Sequence, residues 1–355
     1  MWNYINYAPV DMNLYLILLT LLPFTMFINS KSVNILQAKS VYIIQAFFTC
    51  LFIFVWGGYS IDAPIYSEYF SWFLTEAIDA NEYFNNSYPF YLIGTILNEL
   101  IYPPWPLKIM MGSAVFIYSL GLYKICKRIS MYHANIALLA LLLMPSYYLL
   151  FGNAIRQGLA ASIVVLGFAY LLDRKYVVFI ALVFFTCFIH ISSIAFAVAF
   201  LMIKLPIKWV KILLLLSPIS LLSYESLFGS SPIYIPYAGL KEGIYHFERF
   251  ILEYALAWMT ILLYPNLQTK YKQLALAYPI MVAISSIFLF YEIAFERLVG
   301  YADLLLPITI SIILLNYRHI LQATLFKQTI IILIVLATGL LLWNHPSVVF
   351  TLGYT

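Results

Sequence analysis

Residues 151–175 read FGNAIRQGLAASIVVLGFAYLLDRK. Arg156 stands at the join of two apolar runs, 134–151 and 157–172, and the second run closes on Arg174 and Lys175. A permanent cation between two apolar helices makes sense only if their common end meets a boundary. The composition says which boundary. The chain has 355 residues, 64% of them hydrophobic and 10% charged, whereas a soluble domain carries about 25% charge. The stretch therefore belongs to an all-α, polytopic integral membrane protein.

Further apolar runs lie near 12–28, 40–57, 105–122, 176–189, 191–203, 209–224, 250–265, 274–291, 298–315 and 328–343. A full span needs about 20 residues, so several runs must be short, broken or extended by polar ends. No repeat and no Gly/Ser linker divides the chain, which reads as a single transmembrane domain over 1–355.

Orientation follows from lysine and arginine. Fourteen of the 19 basic residues fit one side: Lys31 and Lys39; Lys124, Lys127 and Arg128; Arg174 and Lys175; Lys204, Lys208 and Lys211; Lys270 and Lys272; Arg318 and Lys327. Placing them in the cytoplasm gives about twelve transmembrane helices, with both termini outside. Two segments need special treatment. The apolar stretch 88–101 is short and ends in Pro103-Pro104, so it reads as an interfacial or re-entrant helix on the outer side. Residues 176–203 lie between two basic clusters and span only about 42 Å as a helix. Two short helices turning near His190 satisfy those charges; one long tilted helix is the alternative.

Lys108, Arg156, Lys241, Arg249 and Arg297 then fall on or near the outer side. Arg156, Arg249 and Arg297 each open an apolar run. Guanidinium groups at helix N-termini suit an anionic headgroup, because the fork grips phosphate in two places and the helix dipole adds to it. Pairing with carboxylates or snorkelling to lipid is the plainer alternative. Glu242, His246, Arg249 and Glu253 share one helical face, and Glu253 either neutralises Arg249 or joins a site. Glu292, Glu296, Gly300 and Asp303 share another, with Arg297 and Tyr301 beside it. Asp303 lies two turns inside the boundary, where a carboxylate must be paired, protonated or wet. The segment 57–89 is acidic without a basic residue, yet no DxD or ExD pair occurs in it, so a metal site is not expected there. His190, in CFIHISS, is either a packed histidine or a proton acceptor facing the side of the arginines. No phosphate-binding glycine loop, GxSxG elbow, HExxH or Walker motif is present, which leaves ATP use and soluble-type hydrolysis without support. Cys50, Cys126 and Cys187 fit neither a disulfide framework nor a zinc site.

These features resemble the EpsG-like family of Wzy-type polysaccharide polymerases. The segment 153–196 carries an Arg-Gln pair opening a helix, a basic turn, and an apolar run ending in Phe-x-His-x-Ser. Asp62-x-x-x-Tyr66-x-x-x-Phe70 resembles the family's first outer-loop signature, YPFYLIGTIL (88–97) the stretch after it, and FERLVGYADLLLPI (295–308) a later Arg-plus-Tyr helix. The resemblance implies a GT-C-like fold with its site at the outer face of the bacterial inner membrane. It implies donor and acceptor oligosaccharides carried on undecaprenyl pyrophosphate, membrane lipid as surroundings, and a chain-length regulator as a further candidate partner. Nucleic acid is not a partner. Arg156, Arg249 and Arg297 are then the pyrophosphate-binding set, and His190 is the first candidate base, followed by Asp62, Glu296 and Asp303. Tyr66, Tyr301 and His246 are candidates for contacting sugar. No cofactor is expected, and arginines in place of a metal imply metal independence. Two rival readings stand beside this one: an O-antigen ligase or polyprenyl-phosphate-sugar glycosyltransferase, and a flippase or transporter of lipid-linked oligosaccharide.

Overall fold

The computed structural model describes residues 35–56, 65–71, 87–142, 144, 147, 149–219, 247–288 and 292–316. The runs at 12–28 and 328–343 lie outside the described residues, as do Asp62 and His246. Every regular element among the described residues is helical. In chain order these are α1 (Ile35–Trp56), α2 (65–71), α3 (Tyr88–Leu100), α4 (Trp105–Cys126), α5 (Met131–Leu142), α6 (Ile155–Leu172), α7 (Tyr176–Cys187), α8 (Ser193–Met202), α9 (Ile207–Leu216), α10 (Phe247–Leu263), α11 (Thr269–Ser286) and α12 (Glu292–Asn316). Four helical stretches are long and apolar enough to cross a membrane: Leu36–Phe54, Trp105–Cys126, Ile155–Leu172 and Arg297–Leu315. The protein is thus a helical membrane protein. The described helices up to Ile191 form one compact unit and those from Ser192 a second.

In the first unit α6 is the core and α1 an outer helix: 78% of the α6 span is buried against 33% of the α1 span. Helix directions follow from pairs of contacts. Tyr42 of α1 donates its hydroxyl to the Ser119 carbonyl near the end of α4, while Phe54 stacks on Trp105 at the start of α4 with ring centres 5.5 Å apart. The two helices are therefore antiparallel. Lys124 Nζ lies 2.9 Å from the Tyr170 hydroxyl, and Arg128 pairs with Asp173, so α4 and α6 run parallel. Their close approach rests on Gly121, where an added Cβ would sit 2.8 Å from the Leu166 nitrogen. Lys124, Lys127, Arg128, Arg174 and Lys175 consequently gather at one end of this unit. Arg156 stands at the other end of α6, 17 residues from Asp173, which is about 26 Å of helix. That is close to the ~30 Å of a hydrocarbon core, as the positive-inside reading requires.

Two local devices shape this unit. The run 134–151 is not one helix: α5 ends at Leu142, and a π-type turn at Leu149–Asn153 leads into α6. Gly158 permits that turn, because a Cβ there would lie 2.1 Å from the Leu150 carbonyl oxygen. At the other end, Arg174 adopts a left-handed φ of 61°. The Lys175 N–H bonds to the Tyr170 carbonyl at 2.9 Å and the Arg174 N–H to Leu171 at 3.0 Å, the paired closure of a Schellman C-cap. This sharp turn sends α7 back along α6, with Phe179 against Gly167. Helix α3 begins at Ser87, beside Arg156, and ends where α4 begins. Both its ends therefore lie at the Arg156 end of the unit.

In the second unit α11 and α12 are buried on nearly every face, including Tyr278, Met281, Val299, Tyr301 and Leu304. Helices α8, α9 and α10 pack on α11. Glu253 of α10, 6% exposed, accepts a 2.6 Å hydrogen bond from the Tyr278 hydroxyl of α11. Residues 176–203 form two short helices broken at 188–192, around His190; the single long helix is excluded.

Candidate functional site

Arg156 is the second residue of α6 and half-buried. Its Nη1 donates to Ser87 Oγ at 3.0 Å. The guanidinium carbon lies 5.7 Å from the ring centre of Tyr66 and 5.5 Å from that of Tyr91. Both rings thus lie within cation–π range of the guanidinium. The tyrosines are themselves held. Tyr66 meets Phe90 edge-on at 5.4 Å, Phe70 packs on Phe90 and Tyr91, and the Phe70 ring occupies the space that a Cβ on Gly94 would take.

Ser87 is the N-cap residue of α3, yet its side chain caps nothing. A serine at this position usually accepts from the helix's own N–H groups. Here the hydroxyl, on a residue 5% exposed, donates instead to the Ile189 carbonyl at 3.1 Å and accepts from Arg156. One hydroxyl therefore ties the arginine to the residue before His190. His190 is half-buried, and its N–H donates to Thr186 at 2.8 Å, closing the end of α7. The expectation that the His190 turn lies at the same end of the fold as Arg156 is met within the first unit.

The remaining candidates lie in the second unit or beyond the described set. Arg297 is half-buried, in the second turn of α12 rather than at its start. The run was expected to begin at Arg297, but the helix begins at Glu292: Glu292 and Glu296 are good helix formers, and acids in a first turn favour the dipole. Tyr301, one turn on, is fully buried. Its ring stacks on Phe196 at 4.9 Å and 4°, and its hydroxyl shares a 2.7 Å hydrogen bond with Ser192. Asp303 is 2% exposed. Arg249 falls in the first turn of α10 and Glu296 in the second turn of α12; their side chains lie outside the described set. Among the described residues no three His, Cys, Asp or Glu side chains gather as a metal site would need.

The stretches that carry this geometry are those that carry the family pattern, and a comparison with protein families matches residues 39–351 to one of them. The chain belongs to the EpsG family. No curated protein and no solved structure matches it. In this EpsG-family chain the Arg-Gln-Gly opening of α6 acquires a physical reason for two of its members. Arg156 is the clamped cation, and Gly158 is the gap through which the preceding turn passes. Ser87 and Tyr91 were missed as site residues. The only sequence signal for Ser87 was its place two residues before Pro89 at a helix start, which points to capping rather than to an arginine.

Proposed function

We propose that this protein is a Wzy-type polysaccharide polymerase, within the role in membrane polysaccharide biosynthesis that EpsG membership supports. In this reading it has about twelve passes in a GT-C-like arrangement and sits in the bacterial inner membrane with its site facing outward. The donor is a glycan on undecaprenyl pyrophosphate and the acceptor is the terminal sugar of a second lipid-linked unit.

The observation that carries the proposal is the Arg156 clamp. A guanidinium held by Tyr66, Tyr91 and Ser87, at the end of α6 away from the basic cluster, is prepared for an anion at the outer boundary. The acceptor hydroxyl attacks the donor's anomeric carbon, and the bond from that carbon to the pyrophosphate oxygen breaks. The electron pair leaves on the pyrophosphate, where Arg156 stabilises the growing charge. Arg297 and Arg249 are assigned to the same leaving group from the sequence pattern. The acceptor's proton passes to a base, with His190 placed first and Asp62, Glu296 and Asp303 after it. Tyr66, Tyr301 and His246 are the assigned sugar contacts. Arginines that neutralise a good leaving group make a metal unnecessary.

The test uses purified full-length protein, lipid-pyrophosphate-linked repeat units and a chelator, with no nucleotide. A ladder of products supports polymerisation. A single transfer to a different acceptor supports the ligase, and movement of the lipid-linked unit across vesicles without a new bond supports a transporter.

A further inference from the structure

The tyrosines around Arg156 are not equivalent. Tyr66 and Tyr91, the two rings beside the guanidinium, are 4% and 2% exposed, so a ligand meets at most their edges. Tyr69, on the same helix as Tyr66, is half-buried, and its ring meets that of Tyr91 at 5.5 Å and 80°. Helical spacing explains the difference. Tyr66 and Phe70, four apart, form the stripe of α2 that packs on α3: Tyr66 meets Phe90, and Phe70 fills the space beside Gly94. Tyr69 stands at the edge of that stripe, on the side of Ile65, which is 43% exposed. Tyr91 is the ring common to Tyr69 and Arg156.

We infer, resting on the proposed placement of a pyrophosphate at Arg156, that the Tyr69 ring receives the sugar attached directly to that pyrophosphate. From Arg156 to Tyr91 and from Tyr91 to Tyr69 are two steps of 5.5 Å each. One phosphoryl group and one sugar ring cover that span. A sugar presents apolar C–H faces rimmed by hydroxyls. A phenol matches both, with a flat apolar ring and a hydroxyl at its tip. Tyr69 is neutral, so it recognises the glycan without competing with Arg156 for the phosphate. Anchoring at the headgroup level is the plainer use of an interfacial tyrosine. Tyr69, however, packs on a ring that itself meets Arg156, which puts it at the site and not only at the boundary.

The test compares the binding of two ligands to purified full-length protein by thermophoresis: undecaprenyl pyrophosphate, and the same lipid carrying only the first sugar of the repeat unit. The second ligand lacks the terminal acceptor sugar, so no polymer forms during the measurement. Wild type should bind the sugar-bearing lipid about tenfold more tightly than the bare one. Tyr69→Leu and Tyr69→Met keep apolar bulk but remove the flat ring. Each should bring the sugar-bearing lipid down to the affinity of the bare lipid, and unchanged binding of the bare lipid shows that the variant is folded. Tyr69→Phe and Tyr69→Trp should keep most of the preference. Arg156→Ala should weaken both ligands. No preference in wild type, a preference undiminished in the Leu and Met variants, or an equal loss of both ligands in those variants would each overturn the role of Tyr69; the last would make the ring a support for the arginine alone. If Arg156→Ala binds both lipids as wild type does, the placement of the pyrophosphate fails instead, whatever Tyr69 does.

Discussion

Ser87 and Arg156, 69 positions apart in sequence, meet at 3.0 Å, and the same serine hydroxyl reaches the Ile189 carbonyl at 3.1 Å. The arginine is thereby fixed relative to the turn that carries His190. A single small side chain joins the starts of α3 and α6 to the end of α7.

Replacing Arg156 tests the clamp directly. Arg156→Ala should lower polymerisation by at least about 100-fold, the scale for losing one preorganised charge contact. Arg156→Lys should recover only part of that, since an ammonium cannot lie between two rings and donate as a planar fork. Product ladders from purified variants measure both.

In the proposed reaction Ser87 would act through Arg156, to which it is hydrogen-bonded, as a positioning residue. Ser87→Ala removes two hydrogen bonds and should cost roughly 1–3 kcal/mol of transition-state stabilisation. Ser87→Thr keeps the hydroxyl and should restore most of the rate. Since the serine holds the arginine's orientation, kcat should fall more than KM rises; an unchanged kcat would remove Ser87 from this role.

Gly158 and Gly112 form a matched pair. At Gly158 a Cβ meets the Leu150 carbonyl oxygen at 2.1 Å, backbone that cannot step aside, whereas at Gly112 the nearest atoms are Phe54 side-chain carbons at 3.6 and 3.8 Å. Gly158→Ala should destabilise the detergent-solubilised protein by several degrees in Tm and disturb the Arg156 turn. Gly112→Ala should be neutral or slightly stabilising.

Arg174 occupies a left-handed position that glycine adopts without strain. Arg174→Gly should raise Tm by about 2 °C without altering transfer activity. A fall in Tm would mean that the charge at this end matters more than the turn.

The membrane class, the helical content and the two charged ends of α6 were legible because hydropathy and charge placement are properties of consecutive residues. The break around His190 was legible in part for the same reason: the basic clusters flanking 176–203 favoured two short helices over one long tilted helix, and the structure takes the two short helices. Helix ends were read less well where charged residues extended an apolar run, as at Glu292–Arg297, because intrinsic helix propensity does not stop where hydropathy does. The sequence by itself thus determined that a cation stands at the end of α6 away from the basic cluster. Only the tertiary structure decided what holds it: Ser87, Tyr66 and Tyr91 come from segments 65 or more positions away, and packing alone brings them together. The role of Gly158 was equally invisible, since a glycine in a helical run looks like a weak point until the carbonyl pressed against it is known.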